Sequence, residues 1–533
     1  MAEVSINFLL LSPMFLTFFI AIILFGLRKW LSNFAAELAT GNMIINTAIF
    51  AAVNFKVKAS PTKTLYGFYN STIGIGYSPS TSVQMKVNGF SGWLLIIINT
   101  LLILMFVYET TKRREQRRQL SSLLSLLFFS IGMNFSIIAN DLFTIFLAWA
   151  IVGISLILLL ANEQNKLLLR QEVVKAYLLI ALALFFLLLG VILSYGFLGS
   201  VNLDYIKNHP ELLLAVKAQN GLFAIYLIIA LFIVGFGLFA NLITLNLWMP
   251  KAISGSSATI QQTFASITGG LALLAIIKVV YVVFSPTVLT NNGYSFVLLI
   301  IGLLTAFQGV FLFSYQVAKK KKTAETFSKI VIFALITNLG IVLTGFATGM
   351  IVDSSTIVMQ SGLLQESLGF TALQIVNVFF AGYLALTAKE HLLSKRPAQE
   401  EVINYQGIGK EYPLTVFTFL IGLASLIGLL PTFGGVNIYL LLFSLVKLEF
   451  IGVVIALIFV LLLLLVGFLS LLKQFVFDNP PAQATFIQPK GIGADLSFIN
   501  FINIVIALGI IVLGLVPSLV GAPIISNASF LLS

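Results

Sequence analysis

The sequence predicts an all-α polytopic membrane protein with about fourteen transmembrane helices, and its composition is the first observation that predicts this class. Of the 533 residues, 59% are hydrophobic and 9% are charged, whereas soluble domains carry about 25% charged residues. The mean hydropathy is +1.06. Because no stretch has the charge density that a soluble domain needs at its surface, we expect residues 1–533 to form a single transmembrane domain.

The second observation is a series of apolar stretches, each of about twenty residues, which is long enough to cross a bilayer as a helix. The first ends at Arg28 and Lys29 with no small-residue cleavage site, so we expect it to remain as an anchor. The second is the shortest. In chain order the stretches lie near residues 7–27, 41–55, 90–108, 120–139, 142–161, 174–197, 221–245, 257–284, 294–316, 328–349, 369–388, 413–434, 450–472 and 498–522.

The third observation is the distribution of the basic residues. Most of the 30 lysines and arginines follow odd-numbered stretches, so these loops are expected to face the cytoplasm and both termini the outside. The formal charge of +11 is explained by this topology, and we expect no nucleic-acid partner. Strongly basic cytoplasmic loops without a visible transit peptide predict the plasma membrane of a prokaryote, with the lipid bilayer as the surrounding partner.

One apolar segment, residues 235–278, is interrupted by Asn246-Leu-Trp248-Met-Pro250 and a run rich in serine and glycine. Proline removes a backbone donor and clashes with the preceding helical turn, so the helix should break here. Broken backbone at membrane depth persists only where protein or trapped water satisfies it. The break therefore predicts a polar pathway near Trp248 and Pro250.

Few polar groups lie within the apolar stretches. Lys278 lies inside the eighth, where an ammonium costs about 2.5–3.5 kcal/mol unless it meets water or a partner. Lys175 and Lys329 are further candidates for a proton path, although both also fit the role of lysines that anchor a helix end at the interface. The asparagines Asn241, Asn246 and Asn338 could line water or join helices by hydrogen bonds, and no acid lies firmly inside a predicted stretch.

The absent residue types exclude several kinds of chemistry. There are no cysteines, so disulfides, iron–sulfur clusters and thiolate metal sites are excluded. The two histidines, His209 and His391, fall in predicted loops, and neither a phosphate-binding loop nor a dinucleotide fingerprint is present. We therefore expect this chain to bind no cofactor or metal by itself.

Several motifs, taken in order, are similar to those of one family. The run from Ile131 to Trp149, IGMNFSIIANDLFTIFLAW, resembles the junction of the fourth and fifth helices in the antiporter-like membrane subunits of complex I, especially subunit N of NADH-quinone oxidoreductase. Other stretches that resemble the same family in the same order are Met85 to Phe90, Lys175-Ala-Tyr with Tyr195 to Ser200, Asn246 to Pro250, Thr337 to Gly340, Tyr405-Gln-Gly407 with Pro413, and Ser425 to Thr432.

The resemblance implies a fourteen-helix subunit with two inverted five-helix repeats, each containing a broken helix, the second at Pro431. It divides the chain into N-terminal helices (1–119), a first repeat (120–284), a second repeat (294–472) and a C-terminal helix (498–533). In the family, buried Lys, His and Glu residues carry protons, driven by electron transfer in neighbouring subunits. Other membrane subunits are therefore the implied partners, and flavin, iron–sulfur clusters and quinone are implied in those partners.

The sequence departs from the family where this proton chemistry is expected. The glutamate of the fifth helix corresponds to Ala150, and the lysine of the broken seventh helix corresponds to Phe239 or, in a shifted register, Asn241. The remaining family positions fall at Gly269, at residues 436–439, and at Asn246 and Asn338. An amide can order water but cannot titrate near neutral pH, so the proton path is predicted to be weakened, rerouted or lost.

Three functions follow from these observations. The first is an N-like subunit of a complex-I-type oxidoreductase, which takes part in or structurally supports redox-driven proton translocation. The second is a subunit of a multi-subunit cation/proton antiporter or of a membrane-bound hydrogenase. The third is a stand-alone secondary transporter with its substrate site at the break. The sequence leaves the electron donor, the acceptor, the coupling ion and the choice between a prokaryotic and an organelle-encoded subunit open.

Overall fold

The computed structural model describes residues 2–31, 34–59, 64–67, 84–111, 116–162, 167–243, 248–281, 293–319, 323–355, 361–395, 406–478, 495 and 497–518. Thirteen helices among them are long and apolar enough to cross a membrane, so the chain is a multi-pass membrane protein. These residues divide into two compact units. Unit 1 comprises residues 1–239, 271–294 and 527–533, and unit 2 comprises residues 240–270 and 295–526.

Unit 1 is built from long helices and one hairpin. Its helices are α1 (Ala2–Gly26), α2 (Arg28–Leu31), α3 (Ala35–Ala59), α4 (Gly89–Thr111), α5 (Gln116–Ile138), α6 (Leu142–Asn162), α7 (Leu167–Leu198), α8 (Leu203–Asn208) and α9 (Pro210–Phe239). The strands β1 (Thr64–Gly67) and β2 (Met85–Asn88) pair antiparallel, with Thr64 opposite Asn88. Helix α9 is kinked at Gly221, where φ is 68°, and the seventh apolar stretch was predicted to begin at this residue.

The chain between residues 248 and 281 changes helical form several times. The short helix α10 (Met249–Ile253) has Pro250 in its first turn, where a missing backbone N–H costs nothing. After residues 254–257 the helix resumes as α11 (Ala258–Gln261), a π-helical segment (Gln262–Thr268), α12 (Gly269–Ile276) and a second π-helical segment (Ile277–Tyr281). Such π segments are rare and are frequently found at functional sites. The break predicted at Trp248 and Pro250 is therefore present.

Unit 2 holds the remaining helices of the described chain. They are α13 (Gly293–Ala318), which begins in unit 1, α14 (Ala324–Ser355), α15 (Ser361–Lys395), α16 (Ile408–Glu411), α17 (Pro413–Ile427), α18 (Phe433–Lys447), α19 (Ile451–Leu472), which continues as a π-helical segment (Lys473–Phe477), and α20 (Phe498–Leu515). Helices α14 and α15 form the interior of unit 2. In the most apolar stretch of α14 every residue is buried, and in that of α15 94% of the residues are buried.

The structure agrees with thirteen of the predicted stretches and differs at the twelfth. That stretch was predicted as one span over residues 413–434, but α17 ends at Gly428, whose φ of 85° stops the helix. The chain starts again at Thr432, whose side chain accepts a hydrogen bond from the backbone N–H of Gly435, and α18 continues to Lys447. Hydropathy averaging merged the first half-helix with the turn and missed the second. The inverted relation of the repeats and the orientation of the termini stay predictions.

Candidate functional site

The centre of unit 1 contains an aromatic cluster at the positions where the family resemblance predicted a charged pair. Trp149 packs against Phe239 with ring centroids 4.8 Å apart and against Phe236 at 5.5 Å. All three side chains are buried, and Ala150 is only partly buried. The Phe239 ring also lies against Gly153, 3.7 Å from where a Cβ would stand. Packed aromatic rings have no ionisable group, so this cluster cannot transfer protons.

Lys278 lies three residues before the end of the second π-helical segment, at one end of unit 1. Its ammonium donates a hydrogen bond to the carbonyl oxygen of Ile137 at 3.1 Å and another to that of Ala139. Both carbonyls belong to the C-terminal end of α5, where carbonyl groups lack helical partners and carry partial negative charge. The structure therefore places Lys278 in the last turn of the span, where it stabilises the end of a neighbouring helix.

Asp141 lies beside this lysine, in the turn between α5 and α6, and is 1% exposed. Its carboxylate accepts hydrogen bonds from the backbone N–H of Thr144 at 2.7 Å, from the Thr144 hydroxyl at 2.6 Å and from the Gln84 backbone N–H at 3.2 Å. This is the capping role that aspartate often has at a helix N-terminus. Burial raises the pKa of the Asp141 carboxyl, and the bonds from Thr144 and Gln84 and the charge of Lys278 only partly oppose this rise.

We expect Asp141→Asn to change how stability depends on pH. Because the folded state raises the pKa of this carboxyl, its contribution to stability is greatest below its unfolded pKa, about 3.9, and is lost as the pH rises through the folded pKa. The wild-type protein should therefore lose stability over that range, and the variant should not. At low pH the variant should be less stable by about 1 kcal/mol, since an amide cannot accept every bond that Asp141 accepts. Thermal melts in detergent across this pH range test this, and identical profiles would contradict it.

The break before α11 in unit 2 is held by Gln261 and a buried lysine. The Gln261 amide donates to the backbone oxygens of Ile253 at 3.0 Å and Ser256 at 2.8 Å. Lys389, 3% exposed on α15, donates to Gln261 Oε1 at 2.6 Å and to Ser328 Oγ at 2.9 Å. These contacts place an ammonium inside the protein, at the point where the broken helix resumes.

Sequence reasoning missed Lys389. The residue was assigned to a basic loop because the eleventh apolar stretch was predicted to end near residue 388, whereas α15 continues to Lys395. Glu390, the next residue, accepts a hydrogen bond from the backbone N–H of Ala258 at the start of α11. The sequence signal that could have found Lys389 was a Lys-Glu pair directly after a long apolar stretch, together with two consecutive glutamines after the predicted break. The acid Glu109, in the last turn of α4 and 1% exposed, was also assigned outside a stretch.

A layer of buried amides crosses the interior of unit 2. Gln374 donates to Asn338 Oδ1 at 2.7 Å, and Asn338 donates to the backbone oxygen of Leu426 at 2.7 Å. One turn along α15, Asn377 Oδ1 accepts from the Ser425 hydroxyl at 2.6 Å. These side chains are all 0% exposed. The amides connect α14 and α15 to the end of α17, beside the second broken helix.

Asn437 on α18 belongs to the same layer. A Cβ at Gly434, one turn earlier, would overlap the Asn377 amide, and Leu441, one turn later, lies beside Gly345 and near Thr371. Because Asn377, Gln374 and Thr371 follow one face of α15 in the opposite direction, Asn437 lies at the level of Gln374. Asn437 is 0% exposed, and neither its amide nitrogen nor its oxygen has a hydrogen-bond partner among the described residues. Buried polar atoms of this kind are normally satisfied by ordered water or a ligand.

The remaining predicted site residues are spread over the structure. Lys175 is exposed and pairs with Glu172 at 2.8 Å, and Lys329 pairs with Glu325 at 3.3 Å. Asn241 ends α9 with φ 57°, a conformation that asparagine tolerates, and donates to the Phe264 oxygen at 3.4 Å. Trp248 packs edge-on against Phe264, and Pro431 lies in the turn between α17 and α18 after a cis peptide bond. Asn246 lies outside the described residues.

The position near Gly269, where the resemblance predicted a lysine in the family, is closely packed. A Cβ at Gly269 would lie 2.6 Å from Leu339 Cδ1 and 3.7 Å from the Asn241 amide nitrogen. Leu339 follows Asn338 on α14, so a side chain at Gly269 would require the Leu339 side chain to move.

These features are those of a multi-pass membrane protein with buried polar groups, and comparison with known proteins gives the family. Residues 139–464 match the family described as "NADH:quinone oxidoreductase/Mrp antiporter, TM". This match covers more than half of the sequence, so the chain belongs to that family.

One curated relative, NADH-quinone oxidoreductase subunit N of Trichlorobacter lovleyi, is 25% identical over 311 residues, which are 58% of this chain and 58% of the relative. The chain thus spans little more than half the length of that relative.

Solved structures share the fold over almost the whole chain. A chain of the Mrp complex from Dietzia sp. DQ12-45-1b has a TM-score of 0.80 at 16% identity, covering 100% of this chain and 98% of that one. A chain of the membrane-bound sulfane sulfur reductase, an archaeal respiratory membrane complex, has 0.78 at 18% identity, covering 99% and 98%. A chain of respiratory complex I from Thermus thermophilus has 0.64 at 17% identity, covering 96% and 98%.

Proposed function

We propose that this chain is an N-like membrane subunit of a complex-I-type respiratory oxidoreductase in a prokaryotic plasma membrane, and that it takes part in redox-driven proton translocation mainly through unit 2. The observation that carries this proposal is the buried amide layer of Asn338, Gln374, Asn377 and Asn437, which lies against a broken helix. A polar layer without exposure to solvent is costly unless water or a ligand completes its hydrogen bonds.

Unit 1 supports the structural half of this proposal. Ala150 and Phe239 stand where the family has an acid and a lysine, and Trp149 and Phe236 pack near them as part of an aromatic cluster. Proton transfer through such a cluster would require water to enter a packed apolar space, which is unfavourable. In this proposal unit 1 therefore serves mainly as a packing partner within a membrane assembly. The proposal keeps Lys278, at the charged end of unit 1, as a group that exchanges protons near the membrane boundary.

Unit 2 supports the translocating half. Amides relay hydrogen bonds and order water, but they do not change protonation near neutral pH. A path through Asn338, Gln374 and Asn437 therefore needs titratable groups at its ends. Lys389, which holds the break before α11, is such a group within unit 2. In this proposal Lys175 and Lys329 belong only to the outer ends of the proton path, because both form ion pairs near helix ends.

The proposal assigns the electron chemistry to other subunits. Relatives of this chain are named as subunits of NADH-quinone oxidoreductase. Flavin, iron–sulfur clusters and quinone would accordingly be bound by partners in the assembly, and this chain would be a non-catalytic subunit.

A second candidate function is a subunit of a multi-subunit cation/proton antiporter or of a membrane-bound hydrogenase. The amide layer favours this candidate in one respect, because the Gln374 and Asn437 side-chain oxygens, which have no hydrogen-bond donor among the described residues, could coordinate a partly dehydrated monovalent cation as well as water. The two candidates differ in the source of energy, which is electron transfer in the first and an ion gradient in the second.

Purification of the tagged chain in a mild detergent, followed by mass spectrometry and a visible absorption spectrum, tests the proposal. We expect iron–sulfur or flavin subunits to accompany the chain and to give a visible spectrum. Isolation with integral membrane chains alone would contradict the redox assignment and support the antiporter. Isolation of the chain by itself, with binding of a solute, would instead support the stand-alone transporter.

A further inference from the structure

Unit 1 contains an apolar groove of about 400 Å³ between α1, α5 and α6. Every lining residue that the structure describes is hydrophobic. Water would find no hydrogen-bond partner on such walls, and large apolar cavities stay dry and take up apolar molecules. The walls include Leu11 and Phe18 on α1, Ile131 and Phe135 on α5, and Ile151 on α6.

The groove extends from the end of α5 to the middle of a membrane span. Met85, which marks one end of the groove, pairs with Ala139 directly after α5. Ile151 lies nine residues after the start of α6 at Leu142, which is about 14 Å of helix. Half of the hydrocarbon core of a bilayer is about 15 Å thick. The groove is therefore about as deep as the hydrocarbon region of one leaflet.

The groove opens at the side of the helix bundle. Phe15 and Phe18, which line it on α1, are 53% and 45% exposed. By contrast, no residue of α5 between 120 and 138 is exposed. The mouth therefore lies along α1, and α5 forms the back wall that only an occupant of the groove can contact.

The size of the groove decides between its candidate occupants. An empty groove is unfavourable, because its lining atoms lose dispersion contacts on one side. A cavity of about 150 Å³ already holds a benzene ring, so the aromatic side chain of a partner subunit would leave much of this volume unfilled. A flexible alkyl chain of a lipid can fill both the volume and the depth.

We propose that this groove binds one acyl chain of a membrane glycerolipid. The chain enters past Phe15 and Phe18 and lies against Ile131 and Phe135 on α5. The headgroup stays outside the groove at the Met85 end, because the described lining offers it no polar partner. The inference does not depend on the proposed function, since none of these residues belongs to the proposed proton path.

Photolabelling of the full assembly in proteoliposomes tests this site. The probe is phosphatidylcholine with a diazirine near the middle of one acyl chain, and mass spectrometry locates the labelled residues after irradiation. Any surrounding lipid can label Phe19, which is 60% exposed on α1 and is not a lining residue. Only a chain inside the groove can reach Ile131 and Phe135, and we expect all three residues to be labelled. Label at Phe19 without label on α5 would overturn the proposal, because the groove would then be empty or covered by a partner subunit.

Two matched variants on α6 complete the test. Ile151→Phe adds a ring at a partly exposed position of the groove wall. It should lower labelling of α5 at least about tenfold, equivalent to about 1.4 kcal/mol, and leave labelling of Phe19 unchanged. Ile154→Phe makes the same substitution at a 57% exposed position outside the lining and should label as the wild type does. Undiminished labelling of α5 in a folded Ile151→Phe protein would refute the site, and the wild-type experiment decides the proposal even if that variant fails to fold.

Discussion

Lys389→Met is expected to abolish most proton movement through this chain while the protein still folds. The substitution removes the only charged group that donates to Gln261 among the described contacts. Stability should fall by about 1–3 kcal/mol, because Gln261 Oε1 and Ser328 Oγ both lose a donor and removal of a buried charge offsets only part of that cost. Translocation should fall by at least about tenfold, since loss of a positioned proton-transfer group costs roughly 10²–10⁴ in rate. Donor-driven proton uptake in membrane vesicles, normalised to assembled complex, measures this.

Two further variants separate a proton-transfer role for Lys389 from a structural one. Lys329→Met removes a lysine whose partner Glu325 is 58% exposed, so its cost should be about 0–1 kcal/mol, and translocation should fall much less than in the Lys389→Met protein. Lys389→His keeps a titratable group and should restore part of the translocation at acid pH, where imidazole is charged. Full translocation in the Lys389→Met protein would remove this lysine from the path. If translocation falls only in proportion to the loss of folded protein, Lys389 has only a structural role at the break before α11.

Lys278→Ala is expected to weaken translocation and stability more than Lys175→Ala. Lys278 satisfies two carbonyls at the end of α5, and their loss of a donor should cost about 1–3 kcal/mol. Lys175 is 58% exposed and forms an i,i+3 pair with Glu172, so its removal should cost about 0–1 kcal/mol. Parallel melting curves and proton-uptake assays compare the two alanine variants directly. An unchanged pumping ratio for Lys278→Ala would exclude it from any proton route.

The sequence predicted the class and most spans because both depend on average properties. Hydropathy over twenty residues is insensitive to single polar side chains, so thirteen spans could be located and Pro250 marked the first break. The same averaging assigned Lys389 to a loop and missed α18, whose start depends on the Thr432 cap and not on hydropathy. Helix ends are decided by local hydrogen bonds, which a window of this length does not resolve.

The candidate site was harder to predict because its residues meet only in the fold. Asn338 was singled out, but its partners Gln374 and Leu426 are 36 and 88 residues away in sequence. The absence of the family's charged residues was visible at Ala150 and Phe239, whereas the aromatic cluster that takes their place depends on how α6 packs against α9. The sequence showed that the charged residues of the family are substituted. It could not show which side chains pack around the substituted positions.

The most direct test of redox-driven translocation uses proteoliposomes that contain the assembly purified through this chain. Proton uptake is recorded first with a sodium or potassium gradient alone, and then after addition of an electron donor and acceptor. The proposed function predicts no uptake from the ion gradient, rapid uptake once electrons flow, and collapse of the gradient with a protonophore. Uptake driven by the cation gradient without electron flow would contradict it and identify the chain as part of an antiporter.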